Sequence, residues 1–352
     1  MMRFVRTSEP AKVVGILFAF LVLLAGGCSQ YTTWKSVHLY NNTVLKYRQW
    51  RTGTDRHNLN QISMIDANAG FIVGYRSKVL SYRNGKWINI SNPLLNDSEL
   101  NSVSALSPTD VWFVGREDVP NRWLVALIQH FDGKKIKRVK LPTNSSINSI
   151  VMTSASSGWM SEYGGAMWKY DGNRWRRYPE LTDSSVNSMV FETEDHGWAL
   201  DDEVRLLEYD NGRWREIEHD FDVSMNALLL QDRKSLFIGG DEQLICYDGT
   251  TFTEVPGFAG RTISSMAKCN EKDVILVGEN ADENPLGNDG RIMYVANGKK
   301  IATEVSFPDP SPPGPFSFTS VSCDTQNHGW IVGWDGTLIE FKIENTWKQN
   351  MP

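Results

Sequence analysis

The sequence predicts an all-β fold, a seven-bladed β-propeller of four-stranded antiparallel blades preceded by a lipoprotein signal peptide. The first observation is an internal repeat, whose period of about 43 residues suits a four-stranded blade of ~40 to 50 residues. The second is that no long segment has the 3.6-residue periodicity of an amphipathic helix. The third is the content of 13 Trp, 11 Tyr, 15 Phe and 28 Gly, which favours strands joined by tight turns.

Each repeat carries four strand signals in a fixed order. The first strand places small polar residues between two apolar ones, and its seven copies begin at Leu59, Leu100, Ile147, Val186, Met225, Ile263 and Phe318. The second strand is aromatic and apolar, as in residues 70–74. The third ends in an aromatic residue and a turn, as in Tyr170-Asp171-Gly172, and the fourth begins with an aromatic residue such as Trp175. Asp-Gly and Asn-Gly turns favour hairpins, so the third and fourth strands should pair antiparallel.

Stacking such sheets radially buries each one against its neighbours. We therefore expect the repeated tryptophans to lie between blades. Trp123 and Trp334 depart from the repeat positions and are better candidates for contact with a ligand. The last repeat finds its fourth-strand signal at Trp347. Near the N-terminus, residues 34–37 resemble a fourth strand and residues 43–47 a third; they either close the ring or are the remnant of an eighth blade, and we favour seven blades.

The N-terminus has the features of an export signal. Arg3, Arg6 and Lys12 precede an apolar run, residues 13–24, that is too short to span a bilayer as a helix, which needs ~20 residues. An ordinary secretory signal is one interpretation. The run ends in Ala-Gly-Gly before Cys28, and this resembles the lipoprotein box of bacterial lipoproteins.

That resemblance implies cleavage before Cys28 and acylation of its thiol, so that acyl chains hold the protein on a membrane. It predicts three parts: residues 1–27 as the signal peptide, 28–57 as a lipid-linked tether with strands that can close the ring, and 58–352 as the propeller. The expected location is the bacterial cell envelope, outside the cytoplasm. Ser29, where Asp would favour the inner membrane, indicates the outer membrane facing the periplasm if the host has two membranes.

Two motifs resemble those of known propeller families. The hairpin at residues 170–175 and its variant at 210–214 look like the Asp-box turns of sialidase-like propellers. The stretch at residues 328–333, followed by 335–339, is similar to the repeat of the photosystem II assembly/stability-factor-like propellers. The resemblance covers residues 59–352 and implies the propeller fold.

Motifs for catalysis or metal binding are absent. The six histidines are scattered, and the sequence has no zinc-site spacing, phosphate loop, dinucleotide fingerprint or nucleophile elbow. Asp282, Asn284, Asn288 and Asp289 are candidate calcium ligands, but their spacing does not match an EF-hand loop and Pro285 interrupts it. We predict no enzyme activity, no metal and no cofactor; a propeller hydrolase or a quinone-dependent enzyme is the least favoured alternative. Three cysteines follow Cys28, namely Cys246, Cys269 and Cys323, and they allow at most one intrachain disulfide.

One end of the propeller is the predicted site of binding. The second-to-third strand turns and the connections between blades lie at this end, and the insertions at 116–122, 279–290 and 308–315 fall there. Loops on a rigid scaffold are where binding functions concentrate. The candidate partner-binding residues are Glu117, Asp118, Trp123, Asp201, Asp202, Glu203, Asp241, Glu242, Asp282, Glu283, Trp334 and Asp335. The simpler interpretation is that these are ordinary solvated loops.

These observations favour a non-catalytic scaffold or assembly factor for a membrane-associated complex. Because the candidate face is acidic, its protein partner is expected to be basic. The net charge of −6 gives no support for nucleic-acid binding, whose usual footprint is basic. The alternative is a lipoprotein that binds a glycan or another small ligand.

Overall fold

The computed structural model describes residues 33–39, 43–50, 57–92, 95, 98–119, 122–179, 181–271, 273–280, 290–296, 305–306, 317–324 and 326–345. These residues form strands in seven antiparallel sheets. The sheets are the blades of a propeller, so the prediction of seven blades is confirmed. Within the described ranges, no helix is long and apolar enough to cross a membrane.

The chain begins with strands β1 Lys35–His38 and β2 Thr43–Trp50, followed in blade 1 by β3 Leu59–Asp66, β4 Ala69–Gly74, β5 Lys78–Arg83 and β6 Lys86–Asn89, in blade 2 by β7 Ser98–Ser107, β8 Asp110–Val119, β9 Arg122–Phe131 and β10 Ile136–Val139, and in blade 3 by β11 Ile147–Ser154, β12 Ser157–Glu162, β13 Met167–Tyr170 and β14 Trp175–Arg177. Blade 4 consists of β15 Val186–Thr193, β16 His196–Asp201, β17 Leu206–Asp210 and β18 Arg213–Ile217, and blade 5 of β19 Met225–Leu230, β20 Leu236–Gly240, β21 Leu244–Tyr247 and β22 Phe252–Glu254. Blade 6 consists of β23 Arg261–Lys268, β24 Asp273–Asn280, β25 Gly290–Ala296 and β26 Val305–Ser306, and blade 7 contains β27 Phe318–Cys323, β28 His328–Gly333 and β29 Leu338–Asn345.

The first strand of each blade is the innermost. These strands contact one another around the axis, and β27 of the last blade meets β3 of the first. A 3₁₀ turn, Trp334–Gly336, joins β28 to β29.

The N-terminal strands complete blade 7. Strand β2 pairs with β29 over eight positions, from Thr43↔Asn345 to Trp50↔Leu338, and β1 adds a fifth, outermost strand. Residues 43–47, which resemble a third strand in sequence, are therefore part of the fourth strand of this blade. Trp347, where the sequence placed that fourth strand, lies outside the described residues. The ring closes by joining the two ends of the chain.

The small polar residues of the repeated inner strand have a physical reason. An inner strand is an edge strand, so its amides facing the axis lack a partner within their own sheet. In the repeat the third residue supplies that partner to the next blade. Ile150 N–H donates to Ser102 Oγ at 3.1 Å, and Leu228 N–H donates to Ser188 Oγ at 3.1 Å. The same bond joins blades 6 and 7, blades 7 and 1, and, through Gln61, blades 1 and 2.

Large aromatic side chains fill the layers between blades. Trp330 of blade 7 packs with Trp87 and Tyr82 of blade 1, and the rings of Trp330 and Trp87 meet edge to face with centroids 5.3 Å apart. Trp87, Trp159, Trp198 and Trp330 are all at most 1% exposed. Each buried ring of this kind removes ~150 to 250 Å² of surface from water, so these layers are the core of the protein.

The two ends of the propeller differ in their connections. Because the strands are antiparallel, the turns between first and second strands and between third and fourth strands lie at one end, the turn face. The second-to-third turns and the connections between blades lie at the other end, the loop face. The loop face is the end on which the sequence placed the binding residues.

A disulfide joins blades 6 and 7. Cys269 directly follows β23, Cys323 ends β27, and their Cα atoms are 5.0 Å apart, within the usual range for a disulfide. Cys246 is a free thiol, and burial raises its pKa. The three cysteines therefore form one intrachain bond, the largest number that the sequence allowed.

Candidate functional site

Seven equivalent residues surround the axis on the loop face. In every blade the first residue of the repeated inner-strand motif pairs with a residue near the end of the second strand, as Leu59 pairs with Gly74 and Phe318 with Gly333. We call the residue after that second-strand partner the ring position. From blade 1 to blade 7 the ring positions are Tyr75, Arg116, Tyr163, Asp202, Asp241, Glu279 and Trp334.

The backbone holds the ring positions in place. The amide of Trp334 donates to the Ser317 carbonyl at 3.0 Å, and equivalent bonds fix Tyr75, Tyr163, Asp202 and Asp241. In blade 7 the two backbone segments approach closely, since a Cβ at Gly333 would lie 2.2 Å from the Ser317 oxygen. The side chain at a ring position has no part in this bond, so its identity is free to serve another purpose.

Three ring positions are exposed aromatics. Trp334 is 40% exposed, Tyr75 46% and Tyr163 68%, and they are three of the five large hydrophobic side chains that are exposed in the described part of the chain. Trp334 and Tyr75 lie on adjacent blades. The ring of His57 packs beside Tyr75 with centroids 5.7 Å apart. Exposed aromatics gathered at one site provide apolar contact area for a ligand.

The ring positions of blades 4, 5 and 6 are acidic. Asp202 is exposed, and the residues that follow Asp202 and Asp241 in the turns are the exposed acids Glu203 and Glu242. Arg116, the one basic ring position, is paired with Glu99 at 2.7 Å. The loop face therefore has an aromatic side around blades 7 and 1 and an acidic arc over blades 4 to 6.

A buried carboxylate builds the acidic turn of blade 4. Asp201 is 1% exposed. Its Oδ1 accepts the amides of Glu203 at 3.0 Å and Arg205 at 2.8 Å, and its Oδ2 accepts Thr182 Oγ1 at 2.6 Å and Arg205 Nε at 2.8 Å. The hydrogen bond between Arg205 and Asp183 raises the pKa of Arg205, and Asp201 raises it further. Asp201 thus cannot contact a partner, contrary to the expectation from the sequence; it positions its neighbours.

Replacing Asp201 with alanine is expected to lower the free energy of unfolding by about 2–3 kcal/mol, because two turn amides and Arg205 lose their buried acceptor. Glu203→Ala, in the same turn but with a side chain 63% exposed, is expected to change it by less than about 0.5 kcal/mol. Urea unfolding of both variants measures the difference. Equal stabilities would contradict the assigned role of Asp201.

The other predicted residues have different positions. Asp202, Glu203, Asp241, Glu242, Trp334 and Asp335 all lie in second-to-third turns of the loop face. Asp118 is exposed, whereas the carboxylate of Glu117 is paired with Arg138 at 2.5 Å. Trp123 lies in strand β9, since β8 and β9 extend as a long hairpin through most of the segment that the sequence assigned to a loop. Asp282 and Glu283 lie outside the described residues.

Sequence reasoning missed Tyr75 and Tyr163. A signal was present, because each directly follows the second strand of its repeat, as Trp334 does. Aligning the repeats at that strand instead of at the inner strand brings the three aromatics into one column. Exposure, which separates them from the buried repeat tryptophans, is not visible in the sequence.

Comparison with known proteins identifies the architecture. No family model matches the chain, and no curated protein matches it. A structure titled YCF48 bound to D1 peptide has a TM-score of 0.66 at 16% identity, covering 90% of this chain and 97% of that one. YCF48 from Cyanidioschyzon merolae has a TM-score of 0.63 at 18% identity, with coverages of 88% and 99%. The WD40 propeller domain of Doa1 has a TM-score of 0.64 at 11% identity, covering 90% of this chain and 98% of that one. What they share with this chain is the fold.

In the part of the chain that the structure describes, no group of three or more His, Cys, Asp and Glu side chains is placed to hold a metal ion. His196 and His328 take equivalent places in blades 4 and 7, where their Nε2 atoms contact Glu208 at 3.2 Å and Glu340 at 3.0 Å. Each glutamate is the neighbouring-strand partner of a buried tryptophan, Glu208 of Trp198 and Glu340 of Trp330. The two histidines therefore belong to pairs that pack between strands.

A cleft of 390 Å³ lies on the turn face between blades 3 and 4. Its walls include Tyr170, Tyr178, Arg177 and Glu194. No residue that the sequence singled out for binding lines it. The loop face, where aromatic and acidic side chains occupy the ring positions of different blades, is the stronger candidate site.

Proposed function

We propose that this chain is a membrane-tethered, extracytoplasmic propeller that binds a segment of a protein partner on its loop face and so assists assembly of a membrane-associated complex. The observation that carries the proposal is the set of ring positions, whose backbone amides make the same hydrogen bond in five blades while exposed aromatics and acids occupy different blades. A structure of similar fold, that of YCF48, was determined with D1 peptide bound. It supports peptide binding as a use of this architecture.

The chemistry of the ring positions suggests the kind of segment. The acidic arc favours lysine and arginine side chains, which it attracts over several ångströms and orients. Trp334 and Tyr75 offer apolar contact area on the opposite side of the axis, and aromatic residues are enriched where binding energy concentrates. A basic segment with an apolar or aromatic residue on one side fits both halves.

The proposed location rests on the N-terminus and is supported by the disulfide. Cys28 and the small residues before it resemble a lipoprotein box. The bond between Cys269 and Cys323 fits an oxidising compartment, where structural disulfides form and persist. We place the protein in the bacterial cell envelope, and in the outer membrane facing the periplasm where the host has two membranes.

Labelled palmitate is expected to enter the wild-type chain and not the Cys28→Ser variant when both are produced in a bacterium. Two or three acyl chains anchor a protein stably, because each buried methylene contributes ~0.8 kcal/mol. A larger share of the variant than of the wild type should therefore appear in the soluble envelope fraction. Incorporation of label into the variant would contradict acylation at Cys28.

Capture of a partner is expected to depend on the loop face. The wild-type protein, used as bait on detergent-solubilised membranes, should retain a partner in constant ratio. The Asp202→Lys/Glu203→Lys and Tyr75→Ala/Trp334→Ala variants should each retain at least about tenfold less, a loss of ~1.4 kcal/mol or more. All four side chains are exposed, so thermal stability should stay unchanged.

The matched control is Asp195→Lys/Asp210→Lys, which reverses two exposed acids of blade 4 at the turn-face end of the blade. It changes the net charge by the same amount as the Asp202→Lys/Glu203→Lys variant and should leave capture of the partner intact. Equal loss in this control would point to a general charge effect and overturn the assigned site. Binding to a glycan array that Tyr75→Ala/Trp334→Ala abolishes, with no protein captured, would favour the ligand-binding alternative.

A further inference from the structure

A cluster of cations lies at the turn-face edge of blades 2 and 3. The third-to-fourth turns and the fourth strands of these blades carry seven exposed Lys and Arg side chains: Lys134, Lys135, Lys137, Arg138, Arg174, Arg176 and Arg177. We call this set the basic edge. Fourth strands are the outermost strands of these two sheets, so the basic edge lies on the outer surface of the propeller.

Fewer acids than cations lie at the basic edge. Glu117 pairs with Arg138, and Glu194 and Asp195 line one cleft with Arg176 and Arg177. Within residues 131–142 and 169–179 the acids are Asp132 and Asp171. Both are already held, Asp132 by Lys137 at 2.7 Å and Asp171 by Arg176 at 2.5 Å. Hydrogen bonds from the turn amides and from Arg176 lower the pKa of Asp171 to about 2. The basic edge is therefore positive at every physiological pH, on a chain whose net charge is −6.

The composition of the basic edge points to an anionic surface more than to a folded protein. Stable protein interfaces are centred on buried aromatic or apolar anchors surrounded by a polar rim. The large hydrophobic side chains that are exposed among the described residues are Trp34, Tyr75, Ile88, Tyr163 and Trp334, and none is part of the basic edge. A cluster of four to eight Lys and Arg without such an anchor is typical of binding to anionic phospholipid headgroups.

The length of the N-terminal segment is compatible with a membrane at the turn face. The chain enters blade 7 through its outermost strand, β1, and Lys35 pairs with Tyr47 of β2. Tyr47 is four residues, roughly 13 Å, from the turn-face end of β2. Six residues separate Cys28 from Trp34, and six extended residues span up to ~20 Å.

We propose that the basic edge docks on the headgroups of an anionic phospholipid membrane, with the turn face toward the bilayer and the loop face away from it. The acidic arc at the opposite end is repelled by the same headgroups. The attraction comes from the basic edge, since the turn face of other blades carries exposed acids such as Asp66 and Asp248. In this orientation the ring positions face the aqueous compartment and are open to a partner. The headgroup interaction adds to any acyl anchor and does not depend on one.

Vesicle flotation of the full chain carrying Cys28→Ser tests the proposal without acyl chains. Vesicles of phosphatidylglycerol and phosphatidylcholine in equal parts should bind the protein at least about tenfold better than phosphatidylcholine alone, since each Lys or Arg near such a surface contributes ~1 kcal/mol. The preference should weaken as the salt concentration is raised. Adding Lys135→Glu/Arg174→Glu should remove it.

The matched control is Arg213→Glu/Lys234→Glu, two exposed cations in turn-face turns of blades 4 and 5. It makes the same change in net charge and should keep most of the preference. Equal binding to the two vesicles, or equal loss in both variants, would overturn the proposal. So would binding to soluble polyglutamate in the absence of any vesicle preference, which would indicate an acidic protein partner. None of these outcomes affects acylation of Cys28 or capture by the loop face, which are tested separately.

Discussion

Replacing Glu340 with alanine is expected to lower the free energy of unfolding by about 3–5 kcal/mol. The buried charge cluster of Arg48, Trp50 and His328 loses the carboxylate that its members share. Glu340 is 4% exposed. Its Oε2 accepts Arg48 Nε at 2.6 Å and Trp50 Nε1 at 2.9 Å, and its Oε1 contacts His328 Nε2 at 3.0 Å. These bonds connect β29 to β2 and β28, so the cluster holds the closing strand of the ring.

The effect of this substitution should depend on pH. Burial by itself would raise the pKa of Glu340, but hydrogen bonds from His328, Arg48 and Trp50 outweigh it and lower the pKa below its ordinary value. A carboxyl whose pKa is lower in the folded state stabilises the fold above its unfolded pKa, and loses that contribution as the pH falls through the folded pKa. The difference between wild type and Glu340→Ala should thus be full at pH 7 and shrink below about pH 4.5.

Glu344→Ala is the matched control, since Glu344 lies in the same strand and pairs with Lys46 of β2 at 2.7 Å on the surface. An exposed pair of this kind contributes ~0–1 kcal/mol. Urea unfolding of the three proteins at pH 7 and pH 4 makes the comparison. A Glu340→Ala protein no less stable than the control would show that the cluster does not hold the ring closed.

Removing the disulfide is expected to cost about 4 kcal/mol by the chain-entropy relation for a loop of this length. Cys269 and Cys323 are 54 residues apart in sequence, and their bond joins the inner strands of blades 6 and 7. The bond acts mainly by restricting the unfolded chain, so the Cys269→Ser/Cys323→Ser variant should keep the propeller fold. Thermal unfolding under oxidising conditions measures the loss.

Cys246→Ser provides the control, because Cys246 is a half-buried free thiol. It should unfold close to wild type in both oxidising and reducing buffer. Dithiothreitol should destabilise the wild-type and Cys246→Ser proteins to the level of the double variant and leave the double variant itself unchanged. A double variant as stable as wild type in oxidising buffer would contradict a stabilising bond between the blades.

Much of the fold was predictable because the signals for it are local. The inner-strand motif, for instance Leu100-Asn101-Ser102-Val103, recurs because in five blades its third residue supplies a hydrogen-bond acceptor to the exposed edge of the next blade. Asp-Gly and Asn-Gly turns mark the hairpin between the third and fourth strands, because these residue pairs favour the backbone conformation of a tight hairpin turn. Their spacing, repeated along the chain, was enough to predict four strands per blade and seven blades.

The candidate site was predictable only in part. The acids Asp202 and Glu203 were expected on the loop face because the order of connections determines which turns meet there. Asp201 belongs to the same acidic run, yet it is buried beneath the turn and accepts four hydrogen bonds. Adjacent residues in a tight turn point in opposite directions, and composition alone does not tell which one faces the solvent.

The repeat, the number of blades and the end of the propeller on which polar turns collect are predictable from the sequence, because each depends on residues close together in the chain. The closure of the ring, the side chains at the ring positions and the pairing of the cysteines depend on how distant strands come together. Arg48 and Glu340, for example, are 292 residues apart in sequence and 2.6 Å apart in space. Contacts of that kind depend on the pairing of distant strands, and no local pattern in either strand specifies its partner.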